Sequence, residues 1–255
     1  MNYYLLSIIC FLTCSQTTTV EETHTLMNPN AKNLAGRINC NTGYQRLKAD
    51  SNSFTYYLRN LPLKHSDSLV RYYNGNTKQK REVYCAVVDM PISKQDLQQC
   101  ADAVMRLRAE YLYKQKKYAD ISFRFVGDGK MHTYLSYVGS DYSYLKFRKY
   151  MEHVFSFANT ASLKKQLKSI PFYKMQAGDV LVKTGNPYGH AVMVVDVSTN
   201  AKGEKEYLLA QSYMPAQETQ ILLNPATGTP WYGKPLSSVI STPEWTFDST
   251  DLHRW

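Results

Sequence analysis

The stretch from Gln176 to Tyr213, QAGDVLVKTGNPYGHAVMVVDVSTNAKGEKEYLLAQSY, constrains the fold more than any other part of the chain. Ala177-Gly178-Asp179 is a turn signal, Val180-Leu181-Val182 a short apolar strand, and Thr184 to Gly189 a loop crowded with residues that break regular structure. Ala191 to Val197 is apolar and rich in β-branched residues, long enough for a strand and too short for a buried helix. His190 is therefore expected to open a core strand, where a side chain is held rigidly and still reached by a substrate. An imidazole there serves as acid or base near neutral pH, and is equally a residue that a core can hold for structure alone.

The partner strand follows from register. If Glu204 to Tyr213 returns antiparallel through a turn near Asn200 to Lys202, Val192 falls opposite Gln211 and His190 opposite Tyr213. Residues two apart share a face, so Gln211 is placed to orient the His190 ring. A slip of one residue would send Gln211 to the other face.

Upstream, Ser53 to Asn60 reads as a short helix capped by Ser53 and ended by Leu61-Pro62-Leu63. Leu69 to Tyr73 and Glu82 to Val88 read as strands joined through the hairpin signal Asn74-Gly75. The clearest helix has Ser93 as N-cap and Asp96 three positions on, and its buried stripe is Leu97, Cys100, Val104, Leu107 and Tyr111, reaching about Lys114. Ile121 to Val126 and Met131 to Val138 form two strands around Gly127-Asp128-Gly129. A second helix covers Ser143 to Ala158, a third is capped by Thr160, and Thr219 to Leu223 is one more strand. Helices come mostly first and the sheet mostly last, an α+β order, and no linker divides residues 37–255 into two domains.

Leu5 to Leu12 is an apolar run of signal-peptide length, too short to span a bilayer, although no basic residue precedes it. Residues 1–16 are thus expected to be an export signal, and the polar residues 17–36 a flexible tether. Cys14, at the border of the apolar run, resembles the lipidated cysteine of bacterial lipoproteins, with plain cleavage nearby as the alternative. Export leaves Cys40, Cys85 and Cys100 in an oxidising compartment, where Cys40 and Cys85 are the favoured pair and Cys100 the free thiol.

Several chemistries lack their signatures. The net charge of +9 sits largely in runs such as Lys114 to Lys117 and Lys164 to Lys168, which read as solvated helix faces, and no basic recognition helix or zinc module points to nucleic acid. The six histidines are scattered without HExxH or CxxC, and neither a GxSxG elbow nor a Gly-rich dinucleotide turn occurs. No metal and no cofactor is expected.

What remains is a cysteine before a histidine. A thiol attacks a carbonyl as thiolate, and a helix N-terminus or a neighbouring imidazole lowers its pKa. With Ser93 as cap, Cys100 lies two turns into the helix between Leu97 and Val104, the setting of an inert structural cysteine. A start at Asp96 would put it just past the first turn.

The order Cys100, His190, Gln211, with Gly178-Asp179-Val180 before Gly189-His190-Ala191-Val192, resembles the papain-like superfamily that includes the NlpC/P60 and CHAP cell-wall hydrolases. That resemblance implies a papain-like antiparallel sheet packed against helices, with Cys100 as nucleophile, His190 as base and Gln211 as its orienter. Arg106, Arg108 and Glu110 follow along the same helix as support or as an ion-paired face. The segments RNLPLK (Arg59 to Lys64), DLQQCADAVMRLRAEYLY (Asp96 to Tyr113), FRKYMEHVF (Phe147 to Phe155), GHAVMVVDV (Gly189 to Val197), LLAQSYMPAQ (Leu208 to Gln217) and PEWTF (Pro243 to Phe247) resemble the bacterial domain-of-unknown-function family numbered 4846. This likeness runs from about Tyr44 to the end and implies an exported protein, often with a lipoprotein-type signal, without an assigned activity.

The sequence is consistent with two functions. One is an envelope protein, anchored to the membrane only through an N-terminal lipid, that hydrolyses an amide in cell-wall peptide. The other is a non-catalytic envelope protein that holds a glycan or peptide in the same cleft, lined by Tyr188, Tyr213, Trp231 and Tyr232.

Overall fold

The computed structural model describes residues 26–233 and 239–255. The expected signal segment, Cys14 and the tether up to residue 25 lie outside the described residues. In chain order the elements are α1 (Leu34–Arg37), β1 (Tyr44–Arg46), α2 (Phe54–Arg59), β2 (Tyr84–Val87), α3 (Cys100–Lys114), β3 (Ser122–Arg124), β4 (Met131–Thr133), α4 (Tyr134–Val138), α5 (Tyr144–Phe157) and α6 (Thr160–Gln166). They continue as β5 (Lys168–Ser169), β6 (Val180–Lys183), β7 (His190–Asn200), β8 (Lys205–Gln211), β9 (Gln220–Leu222), β10 (Tyr232–Gly233), β11 (Val239–Ser241), β12 (Thr246–Asp248) and β13 (Leu252–Arg254).

Caps set several of these boundaries. Ser53 Oγ accepts from Tyr56 N at 3.1 Å and Ser143 Oγ from Lys146 N at 3.2 Å, which starts α2 and α5 where the sequence places them. For α6 the cap is Asn159, whose Oδ1 accepts from Ala161 and Ser162, and Thr160 is the first helical residue. The expected strand Met131 to Val138 is cut at Thr133. Its hydroxyl accepts from Ser136 N at 3.2 Å and turns the remaining residues into α4.

The main sheet is antiparallel and mixed with helices, an α+β arrangement, with strand order β2-β9-β8-β7-β6-β13-β5. Its spine is the eleven-residue β7, which pairs along one edge with β6 and then β1, and along the other with β8. Ala191 to Val195 are fully buried, so both faces of β7 are covered, with α2 and α3 among the elements packed on it. Each large apolar side chain so buried contributes about 1.5–3 kcal/mol relative to leaving it in water. Gly178, which leads into β6, has φ +93, and a Cβ there would lie 2.8 Å from the Phe54 ring of α2. The position thus requires glycine twice over, for its backbone and for the close helix.

Met193 pairs with Ala210 and Val194 with Leu209, the register that sets Val192 against Gln211. Between Val194 and Asp196 the register shifts by one residue. Beyond the bulge the fully buried Asp196 accepts from Arg46 Nε, from Arg59 Nε at 2.6 Å and from its neighbour Val197 N at 2.8 Å. This carboxylate ties β1 and α2 to the spine.

Three expectations are corrected. Asn74-Gly75 does make a tight turn, with Gly75 N to Tyr72 O at 3.0 Å, but the arm that returns along Val70 to Tyr72 is Asn76 to Lys78 (Tyr72 N to Asn76 O and Lys78 N to Val70 O, both 2.8 Å) and not Glu82 to Val88. Among Leu69 to Tyr73 only Val70 is buried, so this segment has no apolar face to bring to a sheet, and β2 pairs with β9 instead. The tether does not extend to residue 36: Leu26 and Leu34 are core residues, and Asn33 caps α1 through Gly36 N at 2.9 Å. Cys40 and Cys85 are free thiols and form no disulfide. Cys85 Sγ faces Ile221 O at 3.7 Å inside the β2–β9 ladder, whereas Cys40 sits beside Arg46 and Ser198.

Asp196→Ala would leave two largely buried guanidinium groups without their carboxylate. The expected loss of unfolding free energy is about 3–5 kcal/mol in urea titrations, and a loss below about 1 kcal/mol would mean that water replaces the carboxylate.

Candidate functional site

The site begins with where α3 starts. Ser93 does not cap it: its hydroxyl accepts from Gln95 N at 3.3 Å in a local turn. Asp96 Oδ1 is taken by Ala216 N at 2.6 Å and Gln99 Nε2 at 3.1 Å, and Arg106 reaches back to Gln98 Oε1 at 2.6 Å and Pro91 O at 2.7 Å. These bonds hold residues 91–98 out of the helix. Gln99 becomes the N-cap residue, with its N–H donated to Asp102 Oδ2 at 2.9 Å, and Cys100 is the first of fifteen helical residues. The thiol therefore stands where the helix dipole is strongest.

What it stands against follows from the ladder. Val194 N donates to Asp179 O and Val194 O accepts from Gly178 N, so even-numbered β7 residues near the strand's start turn their backbone groups toward β6. Odd-numbered residues face β8. The last β8 pairing is Met193–Ala210, and beyond it the outward groups of Ala191 and Gly189 have lost their strand partner. Cys100 fills that edge, with Sγ 4.0 Å from Gly189 O and the Ala191 N–H directed at the sulfur. Gly189 itself has no room for a side chain: a Cβ would lie 2.4 Å from Lys183 O and 2.7 Å from Thr160 Oγ1.

One residue on, His190 Nε2 meets Gln211 Oε1 at 2.7 Å, as the register argument expects. Gln211 Nε2 donates to Glu244 Oε2 at 2.7 Å, and Lys78 Nζ lies 2.8 and 2.7 Å from the two Glu244 oxygens. The Lys78 ammonium also sits over the Tyr213 ring, 5.6 Å from its centroid. Tyr213, Trp245 and Phe247 surround the imidazole at centroid distances of 4.9, 5.3 and 6.0 Å. Glu244 and Trp245 come from the turn between β11 and β12, closed by Thr242 N to Trp245 O at 2.7 Å and Trp245 N to Thr242 Oγ1 at 3.1 Å.

Burial dominates the electrostatics. It draws His190 down to about 4, helped by the Lys78 charge and opposed by the Gln211 bond. It pushes the Cys100 thiol up to about 11, opposed by the N–H groups of Ala191, Ala101 and Cys100 itself and reinforced by Asp102. Asp102 is raised well above the usual carboxylate range by the same desolvation, which only the Gln99 N–H offsets. Its Oδ1 is buried without a hydrogen-bond partner. At neutral pH burial thus holds both the imidazole and the thiol in their neutral forms.

A cleft of about 210 Å³ opens at the start of α3, lined by Cys100, Asp102, Asn159, Thr160, Tyr188 and Met214 among others. Tyr188 is 62% exposed at its mouth. Cys100 and Tyr188 line this cleft, and His190, Gln211 and Tyr213, which pack on one another, adjoin it through Gly189. Trp231 and Tyr232 do neither. Both are buried, with Trp231 Nε1 donating to Asn39 O at 2.7 Å and Tyr232 OH to Leu223 O at 2.6 Å, and Tyr232 pairs with Tyr207 toward the far end of β8. Their polar tips are satisfied by carbonyls, so they serve the core. Arg106 is spent on Gln98, Pro91 and Glu110, and Arg108 lies over the Phe54 and Tyr111 rings. Among the described residues no group of three or more His, Cys, Asp or Glu side chains is placed to hold a metal ion.

Sequence reasoning missed Lys78, Asp102, Glu244 and Trp245. Asp102 had a local signal, an acidic residue three positions after Gln99. Lys78 and Glu244 had none, since 166 residues separate them.

The His190 shift sets a pH dependence. An unfolded imidazole titrates near ~6.5, so between that pH and about 4 the unfolded chain binds the proton first. The stability associated with the neutral ring is complete above the upper value and is lost as pH falls through the lower one, a difference of roughly 3 kcal/mol. From pH 7 to 4 the wild type should lose that much more unfolding free energy than His190→Gln in urea titrations. Parallel curves would place the imidazole in water.

Two overlapping segments, residues 34–139 and 128–254, match the family model described as Domain of unknown function (4846). No curated protein and no solved structure matches the chain. Together the two segments cover residues 34–254, and the chain belongs to the family described as Domain of unknown function (4846).

Proposed function

We propose that the chain is a cysteine hydrolase of papain-like type that cleaves an amide, with cell-wall peptide as the substrate class, and that it is exported to the bacterial envelope and anchored through a lipid on Cys14. The observation that carries the reading is the pairing of two element starts. Cys100 opens α3 with its sulfur 4.0 Å from the carbonyl that precedes His190, and His190 opens β7 with its ring bonded to Gln211 at 2.7 Å. Nucleophile, base and orienter thus come from a helix start, a strand start and the end of the adjacent strand.

In the reaction the Cys100 proton passes to His190 as the sulfur attacks the substrate carbonyl. The N–H groups of Cys100 and Ala101, at the start of α3, would stabilise the oxygen on which negative charge develops. His190 returns the proton to the leaving amine, and water then hydrolyses the thioester. The buried pair is neutral at rest, so the thiol becomes nucleophilic only as substrate fills the cleft and the proton is transferred.

A second reading has its own support. Burial of both groups, with the thiol at about 11 and the imidazole at about 4, suits a site that holds a peptide or glycan against Tyr188 and Tyr213 without chemistry.

The full chain incubated with peptidoglycan fragments and a panel of peptide amides separates the two. On the hydrolase reading, Cys100→Ala abolishes turnover and His190→Ala lowers it by about 10²–10⁴-fold. Wild type without turnover that binds the same fragments as tightly as Cys100→Ala would establish the binding reading. For the anchor, Cys14→Ser should move the protein from the membrane fraction to the soluble one, and unchanged fractionation would remove the lipid.

A further inference from the structure

We infer that the chain Lys78–Glu244–Gln211 fixes His190 as the tautomer protonated on Nε2 and leaves Nδ1 as its basic nitrogen, which makes Glu244 and Lys78 positioning residues. The tautomer does not depend on the proposed hydrolysis; only its use does.

Hydrogen-bond direction fixes each group in turn. Glu244, the partner of an ammonium 2.7 and 2.8 Å from its two oxygens, is a carboxylate that can only accept. The group it meets on Gln211 at 2.7 Å must therefore be the amide nitrogen. A carboxamide has its oxygen on the other arm, so Gln211 presents Oε1 to the ring, and a carbonyl oxygen can only accept. At 2.7 Å the imidazole nitrogen opposite it has to donate. A neutral imidazole has a single N–H, which leaves Nδ1 with a lone pair.

Two further features keep the order of bonds from reversing. The Lys78 and Glu244 side chains are only 4% and 16% exposed, so bulk water does not compete for them, and Lys78 has no acceptor to offer in exchange. Tyr213, Trp245 and Phe247 wall in the imidazole and hold its plane. Nδ1 is also the ring nitrogen nearer the backbone, and the backbone flanking His190 is where the Cys100 sulfur lies. An ordinary core histidine can hold either tautomer and needs no third partner; here a buried ion pair, separated from the ring by Gln211 alone, specifies one.

The experiment is a multiple-bond ¹H–¹⁵N correlation spectrum of the full chain labelled on histidine, recorded at neutral pH, with the His190 signals assigned by their loss in His190→Gln. The wild type should show His190 protonated on Nε2 alone. In Glu244→Gln the carboxamide at position 244 can donate as well as accept, so Gln211 is free to turn over, and the preference for the Nε2–H form should fall roughly tenfold. The other five histidines act as internal controls. A wild-type ring protonated on Nδ1 overturns the inference whatever the variants do, and a folded Glu244→Gln with the wild-type tautomer overturns the role of Glu244. Should Glu244→Gln not fold, Gln211→Leu removes the same acceptor and must show the same loss of preference. Absence of amide hydrolysis beside a wild-type Nε2–H ring would end the hydrolase reading and leave this inference standing.

Discussion

The site depends on the point where β8 parts from β7. An antiparallel strand that loses its partner exposes backbone groups that must be met by something else, because burial without a partner costs about as much as a hydrogen bond lost. Here the first turn of α3 closes the gap, and the residue at the contact is Cys100. The same parting frees Ser212, whose hydroxyl bonds Gln98 O at 3.2 Å and Gln217 O at 2.6 Å and so fastens the chain after β8 to the chain before α3. Helix start, strand start and strand end are therefore fixed by one defect in the ladder.

Closing that gap drives water out, and the consequences reach every titratable group nearby. His190 and Cys100 are held neutral, and Asp102 is pushed toward its protonated form. Two buried charges on or beside the spine are matched by an opposite charge. Lys78 meets Glu244 behind the ring, and burial that draws the ammonium's pKa down is countered by that contact. At the other end of β7, Asp196 meets Arg46 and Arg59. The spine thus carries a polar anchor at each end and an apolar middle from Ala191 to Val195.

Much of this was legible in the sequence. The β7 run, the turn before β6 and the return strand follow from local composition, and the register placed Gln211 against His190 because a two-residue period leaves few alternatives once one face is buried. The start of α3 was not legible, because Ser93 is a good cap by type and is overruled only by contacts from Arg106 and Ala216. Glu244 and Lys78 were invisible for a related reason: their roles are defined by hydrogen-bond direction, which exists only after distant turns have been brought together. Trp231 and Tyr232 were misplaced because an aromatic beside a turn reads the same whether it lines a cleft or fills a core.

The sheet's topology bears on how the thiols fare before the fold is complete. β1 pairs with the end of β7 across some 150 residues of chain, and β2 with β9 across a comparable span. Such non-local pairings are won slowly, since the loop entropy is lost before the contacts form. The three described cysteines are reduced and wholly or partly buried in the finished structure, each against a different part of this sheet. For as long as the strands remain unpaired those sulfurs are open to one another and to any oxidant, so the native arrangement is kept free of wrong disulfides by its own completion.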